Sequence, residues 1–238
     1  MPPYEVIAWF VAAIIAGYLL GSIPTGVIVS RVAGGEDPRL KGSGKTGATN
    51  VLRTLGTGPA TIVVLVDFCK GVAAVLLARF LFGALAHPGV SDATWNILRD
   101  SAEALASVAA LLGHNYSVFI GFKGGRGVLT GAGAMTTMSP LATLFAACAG
   151  VPAIYLTRYV SLGSILGAFM GAVIEIFLVI IGHDSWPHGV FIVAAGIIVI
   201  ISHRDNIQRL RAGVERKLGE RASGATPAPD TAPQGSQD

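Results

Sequence analysis

The sequence predicts an all-α polytopic membrane protein with about seven transmembrane helices. Hydrophobic residues make up 52% of its 238 residues and charged residues only 13%, whereas soluble domains carry roughly a quarter charged residues. Its 31 glycines and 12 prolines lie among Ala, Val, Ile and Leu, which is typical of close-packed membrane helices. This composition excludes a soluble enzyme, a disordered chain and a disulfide-stapled secreted domain.

The long helices are predicted from the apolar runs. The first run, residues 6–30, contains no charge, and about 20 helical residues are enough to span the hydrocarbon core. Later runs predict helix 2 at about 58–82, helix 3 at about 102–119, helix 6 at about 162–182 and helix 7 at about 187–202. The two cysteines, Cys69 and Cys148, fall in apolar stretches without a partner motif, which favours buried, inert thiols.

Helices 4 and 5 are predicted to be short. Residues 127–157 carry no charge and lie between Arg126 and Arg158, which the charge pattern places on the same side of the membrane. Two full spans need about forty residues, so these two helices should turn near Ser139-Pro140 and be short or re-entrant. The number of crossings is seven if both helices cross and five if they are re-entrant.

The distribution of basic residues predicts the orientation. Fourteen of the seventeen Lys and Arg residues lie in the loop after helix 1, at positions 123–158 or beyond helix 7. Because cytoplasmic loops are enriched in Lys and Arg, the N-terminus should lie outside and the C-terminus in the cytoplasm. The same rule accounts for the net charge of +3 without nucleic acid, since no basic stripe alternates with aromatic residues.

Two regions are expected along the chain. Residues 1–221 should form one membrane-embedded domain. Residues 222–238 are rich in Pro, Ala, Gly and Ser and should form a disordered cytoplasmic tail.

The first polar segment, residues 37–50, combines small residues with hydroxyl and basic side chains. Its central part reads Gly42-Ser43-Gly44-Lys45-Thr46-Gly47-Ala48-Thr49-Asn50, and Arg53 follows. Small residues let backbone N–H groups converge on an anion, and basic side chains add charge-assisted hydrogen bonds. A Walker A nucleotide loop is not predicted, because Arg39 occupies the position of its first required glycine. A flexible basic loop is the alternative, and it leaves the dense glycine pattern unexplained.

Two further polar segments are predicted on the same cytoplasmic face. The second, residues 113–127, ends in Lys123-Gly124-Gly125-Arg126-Gly127 just before a helix, which suits a second anion site. The third, residues 202–215, contains His203 and Asn206 at the end of helix 7. On a continuing helix these two side chains are three residues apart and can point into the bundle together.

In order and spacing the three polar segments resemble the three motifs of the bacterial acyl-phosphate-dependent glycerol-3-phosphate acyltransferases. The resemblance runs from about residue 16 to residue 215 and includes the Asp67…Lys70-Gly71 element. It implies transfer of a fatty acyl group from acyl phosphate to the 1-hydroxyl of sn-glycerol 3-phosphate. The products are lysophosphatidic acid and phosphate, in the first step of phospholipid synthesis.

The resemblance also implies roles for residues and partners. The first segment is implied to hold the acyl phosphate through Gly42, Ser43, Gly44, Gly47, Thr49, Asn50 and Arg53. The second is implied to bind glycerol 3-phosphate through Lys123, Gly124, Gly125, Arg126 and Gly127, and the third supplies His203 and Asn206 as catalytic residues beside Ser43. The implied setting is the bacterial inner membrane, with the site facing the cytoplasm. No metal, cofactor or nucleic acid is implied, and neither coenzyme A nor acyl carrier protein is the direct donor.

Two positions depart from the family pattern. Lys45 stands where the family usually has Asn, and Arg126 where it usually has Lys. Both changes keep or add positive charge, so anion binding should survive, but Arg126 presents a planar fork instead of a point charge.

The reaction that the resemblance implies leaves two questions open in the sequence. Acyl phosphate is already activated, so Ser43 is interpreted as a binding hydroxyl and not as a nucleophile. The proton of the acceptor hydroxyl must go to a base, which is either His203 or an oxygen of a substrate phosphate. A transporter of a phosphorylated solute is the competing class, although it does not explain why all three polar segments share one face.

Two intramembrane ionisable sites need an explanation besides the three segments. Asp67 and Lys70 lie three residues apart in helix 2, a spacing that predicts a mutually neutralising pair. Glu175 in helix 6 has no evident partner in the sequence.

Overall fold

The protein is described by a computed structural model that covers residues 3–85 and 89–220. Throughout these residues the regular structure is helical, and two short 3-10 turns complete it. The α-helices are α1 (Pro3–Ser22), α2 (Thr25–Val32), α3 (Ala48–Leu55), α4 (Thr57–Gly83), α5 (Asp92–Asn115), α6 (Val128–Met138), α7 (Pro140–Thr157), α8 (Val160–Ile180), α9 (Trp186–Ser202) and α10 (Arg204–Arg211). The predicted tail at 222–238 lies outside the described residues.

The first apolar run forms two helices instead of one. Helix α1 ends at Ser22 and α2 begins at Thr25, so the break falls at Ile23-Pro24. Proline lacks a backbone N–H and restricts the residue before it to extended conformations. At the break the Ile23 carbonyl oxygen accepts hydrogen bonds from the Thr25 backbone N–H at 2.9 Å and from the Lys70 ammonium at 3.3 Å.

Three predicted helices agree closely with the structure, and one begins earlier than predicted. Helices α4, α8 and α9 lie within two residues of the predicted bounds. Helix α5 begins at Asp92, ten residues before the predicted start at 102. The charges of residues 92–101 made this stretch resemble a loop, but Arg99 lies 3.2 Å from Asp100 and 3.7 Å from Glu103 within the helix. Paired charges of this kind are tolerated inside a bundle.

The predicted turn at Ser139-Pro140 is confirmed. Helix α6 has 11 residues and α7 has 18, with Ser139 between them. At 1.5 Å per residue, α6 is about 16 Å long and α7 about 27 Å, compared with a hydrocarbon core of about 30 Å. Only the first helix of the pair is therefore well short of a full span.

Several helices in the described part of the chain are long and apolar enough to cross a membrane. They are residues Tyr4–Val32, α4, α7 and α8, and the bent pair α9–α10 adds a fifth if it counts as one span. The protein is therefore helical with four to five candidate spans over residues 3–85 and 89–220.

Close helix packing brings the ends of the helices together. A Cβ atom added to Gly21 of α1 would lie 1.9 Å from the Ala110 carbonyl oxygen of α5, and one added to Gly71 of α4 would lie 2.0 Å from the Thr130 carbonyl oxygen of α6. Glycine at these positions lets the backbones approach. The polar segments at the helix ends consequently meet around one space.

The expectation of buried cysteines is wrong. Both Cys69 and Cys148 are exposed on the exterior of the bundle. A membrane helix places apolar residues on the lipid-facing side as well as inside the bundle, so an apolar neighbourhood in the sequence does not indicate burial.

Candidate active site

The three polar segments surround one cavity of about 270 Å³. Its lining includes residues from all three segments, together with residues of α4, α7 and α8. The predicted site residues that line it are Ser43, Gly47, Thr49, Asn50, Arg53, Arg126, Gly127, His203 and Asn206. Five predicted residues are absent from its lining: Gly42, Gly44, Lys123, Gly124 and Gly125.

Asn50 holds the first polar segment in a closed loop. Its side-chain oxygen accepts a hydrogen bond from the Ser43 backbone N–H at 2.8 Å. Its side-chain NH₂ group donates to the carbonyl oxygens of Pro38 at 2.6 Å and Lys45 at 2.8 Å. Because these bonds use both ends of the amide, Asn50 positions the loop that presents Ser43 to the cavity. A loop of this length buries polar backbone groups that must find partners.

Gly42 and Gly44 shape the same loop from outside the cavity. Their φ angles are +63° and +67°, in the left-handed region that favours glycine. The chain then turns through Gly47 into α3, whose residues Thr49 and Arg53 face the cavity.

The glycines of the second polar segment lie directly against the end of α5. The Gly124 and Gly125 N–H groups donate to the carbonyl oxygens of Asn115 at 3.1 Å and His114 at 3.0 Å. An added Cβ would lie 2.0 Å from the His114 carbonyl oxygen at Gly124 and 2.1 Å from His114 Nε2 at Gly125. Glycine is therefore required here for close packing.

This packing determines which basic side chain of the second segment enters the cavity. Arg126 lines it, and its Nε donates to the Ser202 carbonyl oxygen at 3.3 Å. Lys123 is exposed on the preceding turn.

The third polar segment bends at His203, where a continuing helix was expected. Helix α9 ends at Ser202, and α10 leaves it at 56°. His203 and Asn206 both line the cavity despite the bend. The Nδ1 atom of His203 lies 2.8 Å from the Val199 carbonyl oxygen; since a carbonyl only accepts, Nδ1 carries the proton and Nε2 is left as an acceptor.

Glu215 is a site residue that the sequence interpretation named only as the end of the third segment. Its carboxylate accepts hydrogen bonds from Asn206 Nδ2 at 2.6 Å, Arg209 Nε at 2.7 Å and Ser161 Oγ at 2.9 Å. These bonds, together with Arg209, hold the pKa of Glu215 below its usual range despite the desolvation. The carboxylate thus fixes Asn206 and leaves the Asn206 Oδ1 atom without a partner among the residues that the structure describes.

Positive charge dominates the cavity. Three basic side chains among the described residues line it: Lys45 of the first polar segment, Arg53 just after that segment, and Arg126 of the second polar segment. Burial lowers the pKa of all three side chains. The positive charge of Arg126 lowers the pKa of Lys45 further, and that of Arg209 lowers the pKa of Arg126 further. Cations that are desolvated and crowded in this way gain from binding an anion.

A second, apolar cavity of about 240 Å³ adjoins the first. It lies between α6, α7, α8 and α9 and shares Val128, Ile154 and Ser164 with the polar cavity. Its polar side chains are Thr143 and Ser164. The Thr143 hydroxyl donates to the Ser139 carbonyl oxygen just before α7 at 3.0 Å, and the Ser164 hydroxyl donates to the Val160 carbonyl oxygen of α8 at 2.9 Å. The two cavities therefore adjoin at these three shared residues, and the second offers an apolar environment inside the bundle.

One group of side chains has the spacing of a metal site, at the other end of α5. Ligand atoms of Asp100, Glu103 and His188 lie within 4.8 Å of one another. Arg79 already holds both oxygens of Glu103, and Arg99 lies 3.2 Å from Asp100. Two guanidinium groups neutralise the two carboxylates, so the cluster is an ion-pair network that ties α4, α5 and α9 together.

Known proteins resemble this chain over most of its length. Residues 11–213 match the family model described as glycerol-3-phosphate acyltransferase. Glycerol-3-phosphate acyltransferase 2 of Moorella thermoacetica is 45% identical over 214 residues, which cover 90% of this chain and 100% of that protein. A glycerol-3-phosphate acyltransferase of Thermus thermophilus is 43% identical over 209 residues, or 87% of this chain and 94% of that protein.

A solved structure agrees with the sequence comparison. The crystal structure of PlsY (YgiH), an integral membrane glycerol 3-phosphate acyltransferase in its glycerol 3-phosphate form, superposes with a TM-score of 0.73. It is 34% identical, and the match covers 88% of this chain and 96% of that one. The lysophosphatidic acid form of the same protein gives a TM-score of 0.72. The predicted family is confirmed: the chain belongs to the glycerol-3-phosphate acyltransferase family.

Proposed function

We propose that this protein transfers a fatty acyl group from acyl phosphate to the 1-hydroxyl of sn-glycerol 3-phosphate, giving lysophosphatidic acid and phosphate in the first step of phospholipid synthesis. The observation that carries this proposal is the junction of the cationic cavity with the apolar cavity. Two phosphates need cations, and one fatty chain needs an apolar path. The family membership supports the same reaction.

The two phosphates divide the polar cavity between them. The acyl phosphate binds at the first polar segment, with Ser43, Thr49 and Arg53 contributing a hydroxyl pair and a guanidinium. Glycerol 3-phosphate binds at Arg126 and Gly127 of the second segment. The fork geometry of arginine suits a phosphate with two parallel hydrogen bonds.

The fatty chain of the donor lies in the apolar cavity. Val128, Ile154 and Ser164 line both cavities, so the carbonyl carbon of the donor would lie near them while its phosphate remains among the cations. Each buried methylene contributes about 0.8 kcal/mol to binding. Entry from the lipid is consistent with the position of this cavity between helices that face the bilayer.

The chemistry requires one proton transfer and no covalent enzyme intermediate. The 1-hydroxyl oxygen attacks the carbonyl carbon, a carbon–oxygen ester bond forms, and the bond from the carbonyl carbon to the phosphate oxygen breaks. The proton of the 1-hydroxyl passes to an oxygen of a substrate phosphate. This oxygen is a better base than His203, because burial lowers the pKa of His203 to about 4. His203 then acts through Nε2 as an acceptor that orients the hydroxyl, together with Asn206 Oδ1.

The lowered pKa of His203 gives a testable pH dependence. The free enzyme holds His203 neutral from about pH 5 upwards, so protonation removes the Nε2 acceptor only as the pH falls towards 4. The ratio of kcat/KM between the native protein and a His203→Gln variant should be constant from about pH 5.5 to 8 and should fall below about pH 5, because kcat/KM reports the free enzyme. A change of this ratio centred near the ordinary histidine value of about 6.5 would contradict the assignment.

The cavity faces the cytoplasm in this proposal. Seven segments cross or enter the membrane (α1, α4, α5, α6, α7, α8 and α9), with the N-terminus outside and the C-terminus inside the cell. The positive-inside rule supports this orientation because the basic residues gather at the cavity end. In a bacterial cell the protein would lie in the inner membrane, where both substrates are reached from the cytoplasmic side.

A comparison of donors tests the proposed reaction. Membranes containing this protein should form lysophosphatidic acid from palmitoyl phosphate and radiolabelled glycerol 3-phosphate, and should form none above background from palmitoyl-coenzyme A. Turnover with the coenzyme A donor alone would overturn the donor assignment. Uptake of labelled glycerol 3-phosphate into vesicles without any acylated product would favour the transporter class.

A further inference from the structure

The carboxylate of Asp67 lines a cavity that otherwise suits anions. The predicted pairing of Asp67 with Lys70 is present, at 2.8 Å, and both side chains are buried, with exposed fractions of 2% and 4%. Asp67 also lies 3.6 Å from His114 Nδ1, and both Asp67 and His114 line the polar cavity. A purely structural ion pair has no need to face the substrate space.

Two carboxylates of the described residues line the polar cavity, Asp67 and Glu215, and they differ in how their oxygens are hydrogen-bonded. Both oxygens of Glu215 are held by Asn206, Ser161 and Arg209. Asp67 has one ammonium and one imidazole beside Oδ1. A carboxylate has about four lone-pair sites, and Asp67 Oδ1 has no hydrogen-bond partner among the described residues despite these two neighbours, so Asp67 retains acceptor capacity.

The chemistry of the acceptor substrate indicates what Asp67 would accept. A carboxylate repels a phosphate, so the phosphate of glycerol 3-phosphate belongs at Arg126 and the hydroxyl groups belong towards Asp67. The 1-hydroxyl must lie at the donor carbonyl, near Val128, Ile154 and Ser164, where the two cavities adjoin. The 2-hydroxyl is the remaining donor group, and a buried hydroxyl needs an acceptor.

We propose that Asp67, supported by His114, binds the 2-hydroxyl of glycerol 3-phosphate and thereby selects acceptors that carry a hydroxyl at this carbon. This inference rests on the proposed acyl transfer and adds a specificity residue to it. The His114 ring lies between Asp67 and the second polar segment. Its Nδ1 atom is 3.6 Å from Asp67 Oδ1, and its Nε2 atom packs so close to Gly125 that a Cβ added there would be 2.1 Å away. The same imidazole therefore links the hydroxyl-binding carboxylate to the loop that presents Arg126.

A substrate analogue isolates this contact. The compound 3-hydroxypropyl phosphate keeps the phosphate and the reacting hydroxyl of glycerol 3-phosphate and lacks only the 2-hydroxyl. With palmitoyl phosphate as donor, the native protein should prefer glycerol 3-phosphate over this analogue by roughly tenfold to a hundredfold in kcat/KM, the range for a hydrogen bond to a charged group. Equal kcat/KM values for the two acceptors would overturn the proposal without any variant.

Variants of Asp67 then test whether this residue causes the preference for glycerol 3-phosphate over the analogue. Asp67→Ala should lower kcat/KM for glycerol 3-phosphate by roughly tenfold to a hundredfold and leave the value for the analogue within about threefold. Asp67→Asn, which keeps the volume and one acceptor oxygen, should retain part of the preference. If the kcat/KM values of both acceptors fall by the same factor, Asp67 serves the reacting hydroxyl or the fold and the proposal is wrong.

The ratio of the two kcat/KM values does not depend on how much of a variant folds, so partial loss of protein does not obscure the result. If Asp67→Ala yields no active protein, His114→Gln should still reduce the preference, and an unchanged preference there would overturn the proposal. The matched control is Asp92→Asn, an exposed aspartate in the first turn of α5, which should leave the ratio unchanged. Failure of the native protein to acylate glycerol 3-phosphate at all would instead refute the proposed function.

Discussion

An Arg126→Ala variant should lose about a hundredfold or more in kcat/KM for glycerol 3-phosphate. Arg126 lines the polar cavity, where burial lowers its pKa, and no carboxylate among the described residues forms an ion pair with it. Its removal takes away the main partner of the acceptor phosphate, and truncating one side of a desolvated charge pair costs about 2–5 kcal/mol. The measurement is steady-state acylation with palmitoyl phosphate as donor.

Two further variants identify the cause of the loss. Arg204→Ala removes the same charge from the start of α10, where the side chain is 80% exposed, and should change kcat/KM by less than about threefold. Arg126→Lys restores the charge without the planar fork and should recover part of the activity. An equal loss for Arg204→Ala and Arg126→Ala would mean that only the overall charge of this face matters.

A Gly124→Ala variant should lose a comparable factor for a different reason. The added Cβ would lie 2.0 Å from the backbone carbonyl oxygen of His114, so the second polar segment must move away from α5. A displacement of about 1 Å at a reacting group costs on the order of a hundredfold in rate. The same acylation assay measures the effect, and Arg126 remains present but misplaced.

The control for this substitution is another glycine with room for a methyl group. Gly58, near the start of α4, has no atom within 4 Å of an added Cβ, and Gly58→Ala should retain at least about half of the native activity. Comparable amounts of both variants in the membrane show that packing of the loop, and not loss of the protein, lowers the rate. Full activity in Gly124→Ala would contradict the structure of the second segment.

The parts of the fold that follow from local rules were predictable from the sequence. Apolar runs predicted α4, α8 and α9, and the uncharged length of residues 127–157 predicted the turn at Ser139. The start of α5 was not predictable in this way, because its first turns carry Asp92, Arg99 and Asp100, and only the fold brings the His188 ring of α9 against Asp100. Hydropathy describes each segment alone, whereas a buried ion pair depends on two.

The candidate site was predictable as a set of segments and less so as a set of roles. The three polar segments do surround one cavity, with Ser43, Arg126 and His203 on its wall. Asn50, however, uses its amide to close the loop, and Glu215 holds Asn206. Contacts of this kind depend on the folded path of the chain, which residue types and spacing do not reveal.

Glu175 illustrates a further limit of sequence reasoning. The side chain is fully buried in α8, and Gly189 of α9 packs beside it, with an added Cβ 4.0 Å from Glu175 Cγ. The neighbour that the structure places against Glu175 therefore belongs to another helix, and both Glu175 carboxylate oxygens lack a hydrogen-bond partner among the described residues.

The central claim is that one cavity joins an acyl phosphate to glycerol 3-phosphate. The most direct test uses the purified protein in lipid vesicles with palmitoyl phosphate and radiolabelled glycerol 3-phosphate, and measures both products in the same sample. The predicted result is equal molar formation of lysophosphatidic acid and inorganic phosphate, with both lowered together by about a hundredfold or more in Arg126→Ala. Release of phosphate without lysophosphatidic acid, or no product from this pair of substrates, would contradict the account.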